Sequence, residues 1–408
     1  MTPGLLRATL TLLTGSVAAH AIPLLLGPAL TRIYSPEAFG QFALLWALAT
    51  NLAVVGCARY EFALPLETTE SGAAQLMALC ARILLAVTAA SSGAGAVLAL
   101  WRGESLAWTL PLAVLAGGAT QWLTLWVTRS QRFGLLSLAR LVQQGGGAVL
   151  QLAFGVMKMG ALGLVLGATA AGLGAAWMLA KPSPEGGWVT LLRRTGLWAM
   201  ARRHRDFPLL NTPHAFLGAL QDTLTLVLVA AVSGDAAAGF WALALRYLKA
   251  PATLVGGALS QALYPRLLKA ADAAQSRATV RQAMLGLAAI AVPMAAVLLL
   301  WGPQIFALAF GEPWAQTGEL ARALAPYIAL HFVASPLAVV TMAWRAQAWA
   351  LRLALIGQCL FFAGLLPGLY LGGVHGAAWG ISASMLAYFA YYFCALANWK
   401  DIPHESAA

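Results

Sequence analysis

Long apolar stretches fill most of this 408-residue chain and decide what surrounds it. Hydrophobic residues make up 61% of the sequence and charged residues 10%. A helix needs about 20 apolar residues to cross the hydrocarbon of a bilayer, and twelve stretches satisfy this condition. They lie at residues 8–31, 40–58, 73–100, 106–128, 136–156, 160–180, 207–232, 236–263, 282–302, 315–341, 347–370 and 374–398. The sequence therefore predicts an all-α polytopic membrane protein with twelve transmembrane helices.

The distribution of basic residues predicts how these helices are oriented. Short cytoplasmic loops retain Lys and Arg, whereas external loops carry few of them. If the N-terminus lies inside, the external loops carry only Arg32, Arg102 and Lys158. Both termini are therefore predicted to be cytoplasmic. The net charge of +11 follows from the same bias, so it indicates contact with anionic membrane lipids and not with nucleic acid.

An internal repeat predicts two halves. Gly40-Gln-Phe-Ala-Leu opens the second apolar stretch, and Gly239-Phe-Trp-Ala-Leu opens the eighth. Because six helices separate the two positions, the halves should be six-helix bundles related by a pseudo-two-fold axis along the membrane normal. The predicted domains are an N-terminal bundle at 1–180, a basic cytoplasmic linker at 181–206 and a C-terminal bundle at 207–408.

The linker itself has two interpretations. Its segment 188–205 mixes apolar residues with five arginines. That composition favours an amphipathic helix on the membrane surface, but a solvated basic connector explains it as well.

Two cations inside the eighth stretch are the strongest functional signal. Arg246 and Lys249 are three residues apart, so a helix presents them on one face. A charge within the bilayer is costly and is seldom kept without a partner or a function. We therefore predict that both side chains face a polar interior and attract an anionic cargo, such as a phosphate group.

A polar stripe in the seventh stretch is the second signal. Its members recur at intervals of three and four, which places them on one side of a helix. They are Asn211, His214, Gly218, Gln221, Asp222 and Thr225. Asn211, His214 and Gln221 are candidate sugar contacts. Asp222 is a candidate for ion coupling or for a structural ion pair with Arg246, and His214 for either a hydrogen-bonded interior histidine or a proton carrier.

Signatures of enzymes and metal sites are absent from the sequence. It contains no His-Glu-x-x-His, Gly-x-x-x-x-Gly-Lys or Gly-x-Ser-x-Gly motif. The cysteines are scattered through the apolar stretches, which argues against a zinc site or a disulfide framework. They are Cys57, Cys80, Cys359 and Cys394. We expect a protein without catalytic residues, metal or cofactor.

The order of several short motifs resembles a known family, the polysaccharide or O-antigen flippases of the multidrug/oligosaccharidyl-lipid/polysaccharide (MOP) transporter superfamily. The similar motifs run from the end of the first stretch to the tenth. They are Leu30-Thr-Arg32-Ile-Tyr34-Ser-Pro36-Glu37-Ala-Phe39-Gly40, Arg59-Tyr60-Glu61, Asp206-Phe207-Pro208, the segment from Gly239 to Pro251, Phe310-Gly311-Glu312-Pro-Trp314 and Ser335-Pro336-Leu337. Arg32, Arg59 and Glu61 match family positions at the membrane faces, where gating or structural pairing is expected.

The resemblance implies a function. Such a protein would move an oligosaccharide on a polyprenyl diphosphate from the cytoplasmic to the periplasmic leaflet of the bacterial inner membrane by alternating access, for O-antigen, capsule or exopolysaccharide synthesis. Its partners would be this lipid-linked cargo, membrane lipids and other membrane proteins of polysaccharide assembly, and a proton or sodium gradient could drive it. A drug or cation antiporter of the same superfamily is an alternative, which would favour an acidic cavity. A membrane enzyme of glycan assembly is another, which would need a large charged external loop.

Overall fold

A computed structural model describes residues 3–181, 187–270 and 272–399, and these residues form helices and short connections. The first part of the chain contains α1 (Pro3–Ile33), α2 (Pro36–Val54), α3 (Glu70–Arg102), α4 (Leu110–Arg129), α5 (Phe133–Leu141), α6 (Gly147–Val156), α7 (Gly160–Leu179), α8 (Gly187–Arg193), α9 (Leu197–Arg203) and α10 (Thr212–Ser233). The remainder contains α11 (Asp235–Leu268), α12 (Ala273–Phe310), α13 (Ala315–Ala343) and α14 (Gln347–Ala397). Shorter turns are 3₁₀ at Tyr60–Leu66, Ser105–Thr109 and Glu312–Trp314, and π at Val142–Gly146 and Phe207–Asn211.

Local sequence signals explain where several helices begin. Ser35 precedes Pro36, and its hydroxyl accepts a hydrogen bond from the Ala38 amide at 3.3 Å. Thr69 caps α3 in the same way through the Gly72 amide at 3.1 Å. The Asp272 carboxylate accepts a hydrogen bond from the backbone amide of Gln275 at 2.6 Å. Each side chain satisfies a backbone donor that the first helical turn leaves without a partner.

The predicted class is confirmed, since the described residues contain seven helices that are long and apolar enough to cross a membrane. All twelve predicted spans fall on helical segments. One of them combines α5, the π turn and α6. Two others share α14, whose 51 residues would span ~75 Å at the helical rise, more than twice the hydrocarbon thickness. Gly372 and Gly373 break α14 with non-helical backbone angles, φ −140° and +58°.

The chain forms two compact units, Met1–Val227 and Leu228–Ala408. Their boundary lies inside α10, whereas the sequence places the domain boundary at the linker, 181–206. The linker helices and the first part of α10 pack with the first unit. The buried hydroxyl of Thr223, for example, donates to the Ala47 carbonyl of α2 at 3.3 Å.

The linker helices α8 and α9 pack on protein through their apolar side chains. Leu191, Leu197 and Met200 are buried in the same core as residues of α3 and α4, including Met77 and Trp122. Protein therefore covers these three side chains, whereas composition favoured an amphipathic helix with its apolar side on a membrane surface. The residues at 182–186 of the predicted linker lie outside the described part, as do residues 400–408 at the predicted cytoplasmic C-terminus.

Polar contacts also hold the linker to α3 and the turn that precedes it. The Arg82 guanidinium donates to the Arg194 carbonyl at 2.8 Å, and Arg194 donates to the Ser71 carbonyl at 3.3 Å. The Tyr60 hydroxyl donates to the Ala201 carbonyl at 3.1 Å. The outward side of α9 is different, since Trp198 is 75% exposed.

The second unit is organised around α13, which packs against α11, α12 and α14. Leu324, Phe332 and Leu337 of α13 are almost completely buried. Hydroxyl groups from two neighbours donate to its carbonyls: Ser382 to Ala323 at 2.6 Å and Ser260 to Pro336 at 3.1 Å. These bonds satisfy polar atoms within an otherwise apolar core.

The two parts of α14 approach closely through small residues. A Cβ atom at Gly368 would collide with the carbonyl of Gly376, and one at Gly364 with the carbonyl of Gly380. Such contacts allow helices in a membrane to pack backbone against backbone.

The mutation Gly368→Ala should lower the free energy of unfolding by ~1–3 kcal/mol, because the new methyl group has to displace backbone atoms. Thermal unfolding of the purified protein, followed by intrinsic fluorescence, measures this effect. Gly286→Ala is the matched control, since its Cβ would meet open space on α12. Equal melting temperatures for the two variants would contradict the close packing of α14.

The mutation Leu197→Asp should release α9, because burying a carboxylate among apolar side chains costs several kcal/mol. We expect trypsin to cleave the arginines of residues 193–205 at least about tenfold faster than in the unmodified protein. Trp198→Asp places the same charge on the exposed side of the helix and should leave the rate unchanged. Similar rates for both variants would show that α9 does not depend on this contact.

Candidate functional site

The two predicted cargo-binding cations lie on α11 beside its packed face. Trp241, Leu243 and Leu248 of α11 are buried, and α13 is its main packing neighbour. Arg246 and Lys249 are half-buried at the margin of that face. Because α11 is continuous from Asp235 to Leu268, the two cations are about one helical turn apart.

Aromatic packing fixes the helix around these cations. The ring of Tyr247, between them in sequence, packs on Phe310 with centroids 4.7 Å apart. Phe240, further towards the start of α11, meets Trp314 edge to face at 5.9 Å. Rigid aromatic contacts of this kind restrict the rotation of α11 and therefore the direction of its charged side chains.

The predicted polar stripe has an unequal environment along α10. Asn211, at the end of the π turn, and Asp222 are exposed, whereas Gln221 is half-buried. Thr225 is buried, and its hydroxyl donates to the Gln221 carbonyl at 2.8 Å. This hydrogen bond lies within α10. The side chain of His214 lies outside the described part of the structure.

The predicted substrate contacts are divided between the compact units. Asn211, Gln221 and Asp222 belong to the first unit, and Arg246 and Lys249 belong to the second. Their assembly into one cavity stays a prediction.

The three residues at the predicted membrane faces have separate environments. Arg32 is exposed in the last turn of α1. Arg59 and Glu61 begin the 3₁₀ turn at Tyr60–Leu66, and the Arg59 backbone is left-handed with φ 62°. The Arg59 guanidinium lies 4.7 Å from the centroid of the Phe62 ring. Of these three residues, Arg59 and Glu61 therefore lie close to one another.

Glu61 is a buried carboxylate whose two oxygens have different contacts. Its Oε1 accepts a hydrogen bond from the Gln121 amide of α4 at 2.9 Å and lies 3.9 Å from Nη1 of Arg59. Its Oε2 is buried and has no hydrogen-bond partner among the described residues. Burial raises the pKa of Glu61 above its ordinary value, although an internal backbone hydrogen bond, the Arg59 charge and the Gln121 amide act in the opposite direction.

Glu67 is a second buried carboxylate, and it ties the linker to the turn. The Thr69 hydroxyl donates to its Oε1 at 3.0 Å, while Oε2 lies 3.4 Å from Nη1 of Arg203 and 3.6 Å from Nε2 of His204. Burial alone would raise the pKa of Glu67. The Thr69 hydrogen bond and the Arg203 charge outweigh burial and hold that pKa below its usual value.

Arg129, at the end of α4, completes this polar region. Its Nε donates to the Glu67 carbonyl at 3.2 Å, and its Nη1 pairs with Glu70 at 2.8 Å. Sequence reasoning did not select Glu67, Gln121, Arg129 or Arg203 as functional residues. A signal existed for Gln121 alone, since an amide in the middle of an apolar span is unusual.

Comparison with known proteins identifies the family. Residues 77–319, more than half of the chain, match the family described as polysaccharide biosynthesis protein. The chain belongs to this family. This confirms the family-level resemblance drawn from its motifs. A comparison with curated proteins gives no match.

Several solved structures similar to this polysaccharide biosynthesis protein are described as MATE or MOP superfamily transporters. An inward-facing multidrug resistance MATE family transporter of that superfamily gives a TM-score of 0.65 at 12% identity over 95% of each chain. A Vibrio cholerae MATE transporter gives 0.53 at 16% identity, covering 96% of this chain and 95% of its own. A MOP superfamily transporter from Pyrococcus furiosus gives 0.52 at 14% identity over 96% of both chains. At these identities the similarity shows the fold alone.

Acidification should loosen the linker through Glu67. Because the folded-state pKa lies below the usual value, this carboxylate stabilises the docked linker above its unfolded pKa, and the stabilisation is lost as the pH falls through the folded value. Hydrogen exchange at 187–203 should therefore rise below about pH 4. Glu67→Gln should show fast exchange at every pH, whereas Glu37→Gln, at an exposed site on α2, should behave like the unmodified protein. An acid response that survives in Glu67→Gln would contradict this role.

Proposed function

We propose that this protein moves polyprenyl-diphosphate-linked oligosaccharide units from the cytoplasmic to the periplasmic leaflet of a bacterial inner membrane. The observation that carries the proposal is the pair Arg246 and Lys249 within a predicted membrane span of a polysaccharide biosynthesis protein. The fold shared with MOP superfamily transporters supports transport by alternating access. The products served would be O-antigen, capsule or exopolysaccharide.

The chemistry of this cargo matches the residue types on α10 and α11. A diphosphate carries several anionic oxygens, which Arg and Lys attract through charge-assisted hydrogen bonds. Sugar hydroxyls need neutral donors and acceptors, which Asn211, His214 and Gln221 can supply. The prenyl tail needs no polar partner, because it can remain in hydrocarbon while the headgroup crosses.

The roles follow from these chemistries. Arg246 and Lys249 attract the diphosphate or an anionic sugar, and the polar residues of α10 contact the glycan. Asp222 serves ion pairing or ion coupling, and Arg32, Arg59 and Glu61 serve gating or structural pairing. Directional export requires a coupled gradient of protons or sodium ions, and transport that persists after both gradients are collapsed would remove that part of the proposal.

The same cations favour this proposal over drug export. A cavity that holds cationic drugs would favour acidic residues, whereas the candidate residues of α10 and α11 include two cations, Arg246 and Lys249, and one acid, Asp222. The structure from Pyrococcus furiosus is itself described as having a binding pocket of reversed polarity that suggests a different function. Pocket charge is therefore a reasonable basis for separating functions among proteins of this fold.

Deletion of the gene should cause lipid-linked oligosaccharide to accumulate in the cytoplasmic leaflet and surface polysaccharide to disappear. Leaflet-specific labelling of the lipid-linked intermediate measures the first effect. An unchanged distribution in a host without a redundant transporter would favour drug export or another membrane role.

Arg246→Ala and Lys249→Ala should each reduce surface polysaccharide in the deletion host at least about tenfold, since a hydrogen bond to a charged group contributes ~1.5–3 kcal/mol. Arg266→Ala is the matched control, because Arg266 is an exposed cation near the end of the same helix. All three variants should be expressed at equal levels. Full polysaccharide from the Arg246→Ala, Lys249→Ala double variant would contradict the assignment of the cargo.

A further inference from the structure

Glu61 combines burial with incomplete neutralisation. Its side chain is 2% exposed, and the Arg59 guanidinium lies no closer than 3.9 Å. No residue that the structure describes forms a hydrogen bond with Oε2. Arg59 also contacts the Phe62 ring, so its charge is shared between two neighbours. An ionised carboxylate in this position keeps the Gln121 hydrogen bond and the more distant Arg59 charge, but these contacts do not fully compensate for the loss of water.

Within the part of the chain that the structure describes, the elements packed against the turn place no second cation at the carboxylate. Helix α4 contributes the neutral amide of Gln121, while Arg129 further along the same helix is bonded to Glu70 and to the Glu67 carbonyl. Helix α3 contributes the buried Cys80 thiol, which is not a cation. The π turn at 207–211 has the sequence Phe-Pro-Leu-Leu-Asn and contains no titratable side chain.

We infer that Glu61 is a proton-binding site, in which Oε2 takes up a proton from the predicted cytoplasmic side and holds it as a carboxylic acid. In this step a hydronium ion delivers its proton, an O–H bond forms at Oε2 and a water molecule leaves; release reverses the step. The neutral acid removes the desolvated charge and retains the Gln121 contact at Oε1. The direction in which burial shifts the pKa of Glu61 agrees with this geometry.

Protonation of Glu61 would also change the interactions that stabilise the turn at Tyr60–Leu66. Ala58 and Arg59 both have left-handed backbone conformations, with φ 48° and 62°, which residues with a Cβ atom seldom adopt. Neutralising Glu61 removes the charge that attracts Arg59 and leaves Phe62 as its neighbour. If the protein transports glycans as proposed, proton binding here would bias the turn between two arrangements, which makes Glu61 the coupling residue in place of Asp222 or His214.

Infrared spectroscopy tests the site directly, because a protonated carboxyl group has a C=O stretching band that an ionised carboxylate lacks. The full-length protein in lipid nanodiscs would be titrated from pH 8 to pH 4. We expect a protonated-carboxyl band with a midpoint above that of the exposed carboxylates. Glu61→Gln should lose this band, and Glu67→Gln, which also removes a buried carboxylate, should retain it.

A second variant keeps Glu61 intact. Gln121→Leu removes the hydrogen bond that favours the ionised form, so the midpoint should rise by about one pH unit, a tenfold increase in proton affinity. A band that titrates together with the exposed carboxylates, or a midpoint that Gln121→Leu leaves unchanged, would overturn the inference.

The result separates this inference from the proposed function. A high-midpoint band in a protein that moves no lipid-linked glycan would preserve the proton site and remove the flippase proposal. Glycan transport by a protein that lacks the band would preserve the flippase proposal and remove the proton site.

Discussion

Hydrocarbon offers no hydrogen-bond partners to a backbone, and the architecture of this protein follows from that constraint. A chain that crosses a membrane many times must satisfy its peptide groups internally, which helices do. Buried polar side chains obey the same requirement by bonding to backbone carbonyls. Thr120 donates to Ala116 at 2.7 Å, Tyr34 to Gln151 at 2.6 Å, and the Gln151 side chain to Leu164 at 2.9 Å. Among the described residues, Oε2 of Glu61 is one of the few buried side-chain atoms that do not meet this requirement.

The sequence was sufficient to predict the helical spans, because each needs only length and apolar composition. It separated the last two spans at the glycine pair that breaks α14. It could not predict the packing of the linker, since amphipathicity alone does not distinguish a lipid surface from a protein surface. Whether Leu191, Leu197 and Met200 are covered by lipid or by α3 depends on a complementary shape that only the folded chain provides. The boundary inside α10 depends on tertiary contacts for the same reason.

The candidate site was predictable only where a single residue carried the signal. Arg246 and Lys249 stand out because a charge within a span is costly wherever its partners lie. Glu67 and Arg203 carry no such signal, because one follows a short turn and the other belongs to a basic linker. Their significance arises from contacts between distant parts of the chain, as does the bond between Gln121 and Glu61. Chemistry that depends on pairing is therefore harder to infer from a sequence than chemistry that depends on exclusion from lipid.

The docked linker has a consequence for how this protein is made. Synthesis proceeds from the N-terminus, and domains generally fold as units in that order. The surface that receives α8 and α9 consists of α3, α4 and the turn between α2 and α3, all of which precede the linker in the chain. The ribosome would therefore release α8 and α9 when their docking partners are already inserted. The first unit can thus cover its own apolar surface before α11 to α14 exist, which limits the time in which that surface is exposed to aggregation.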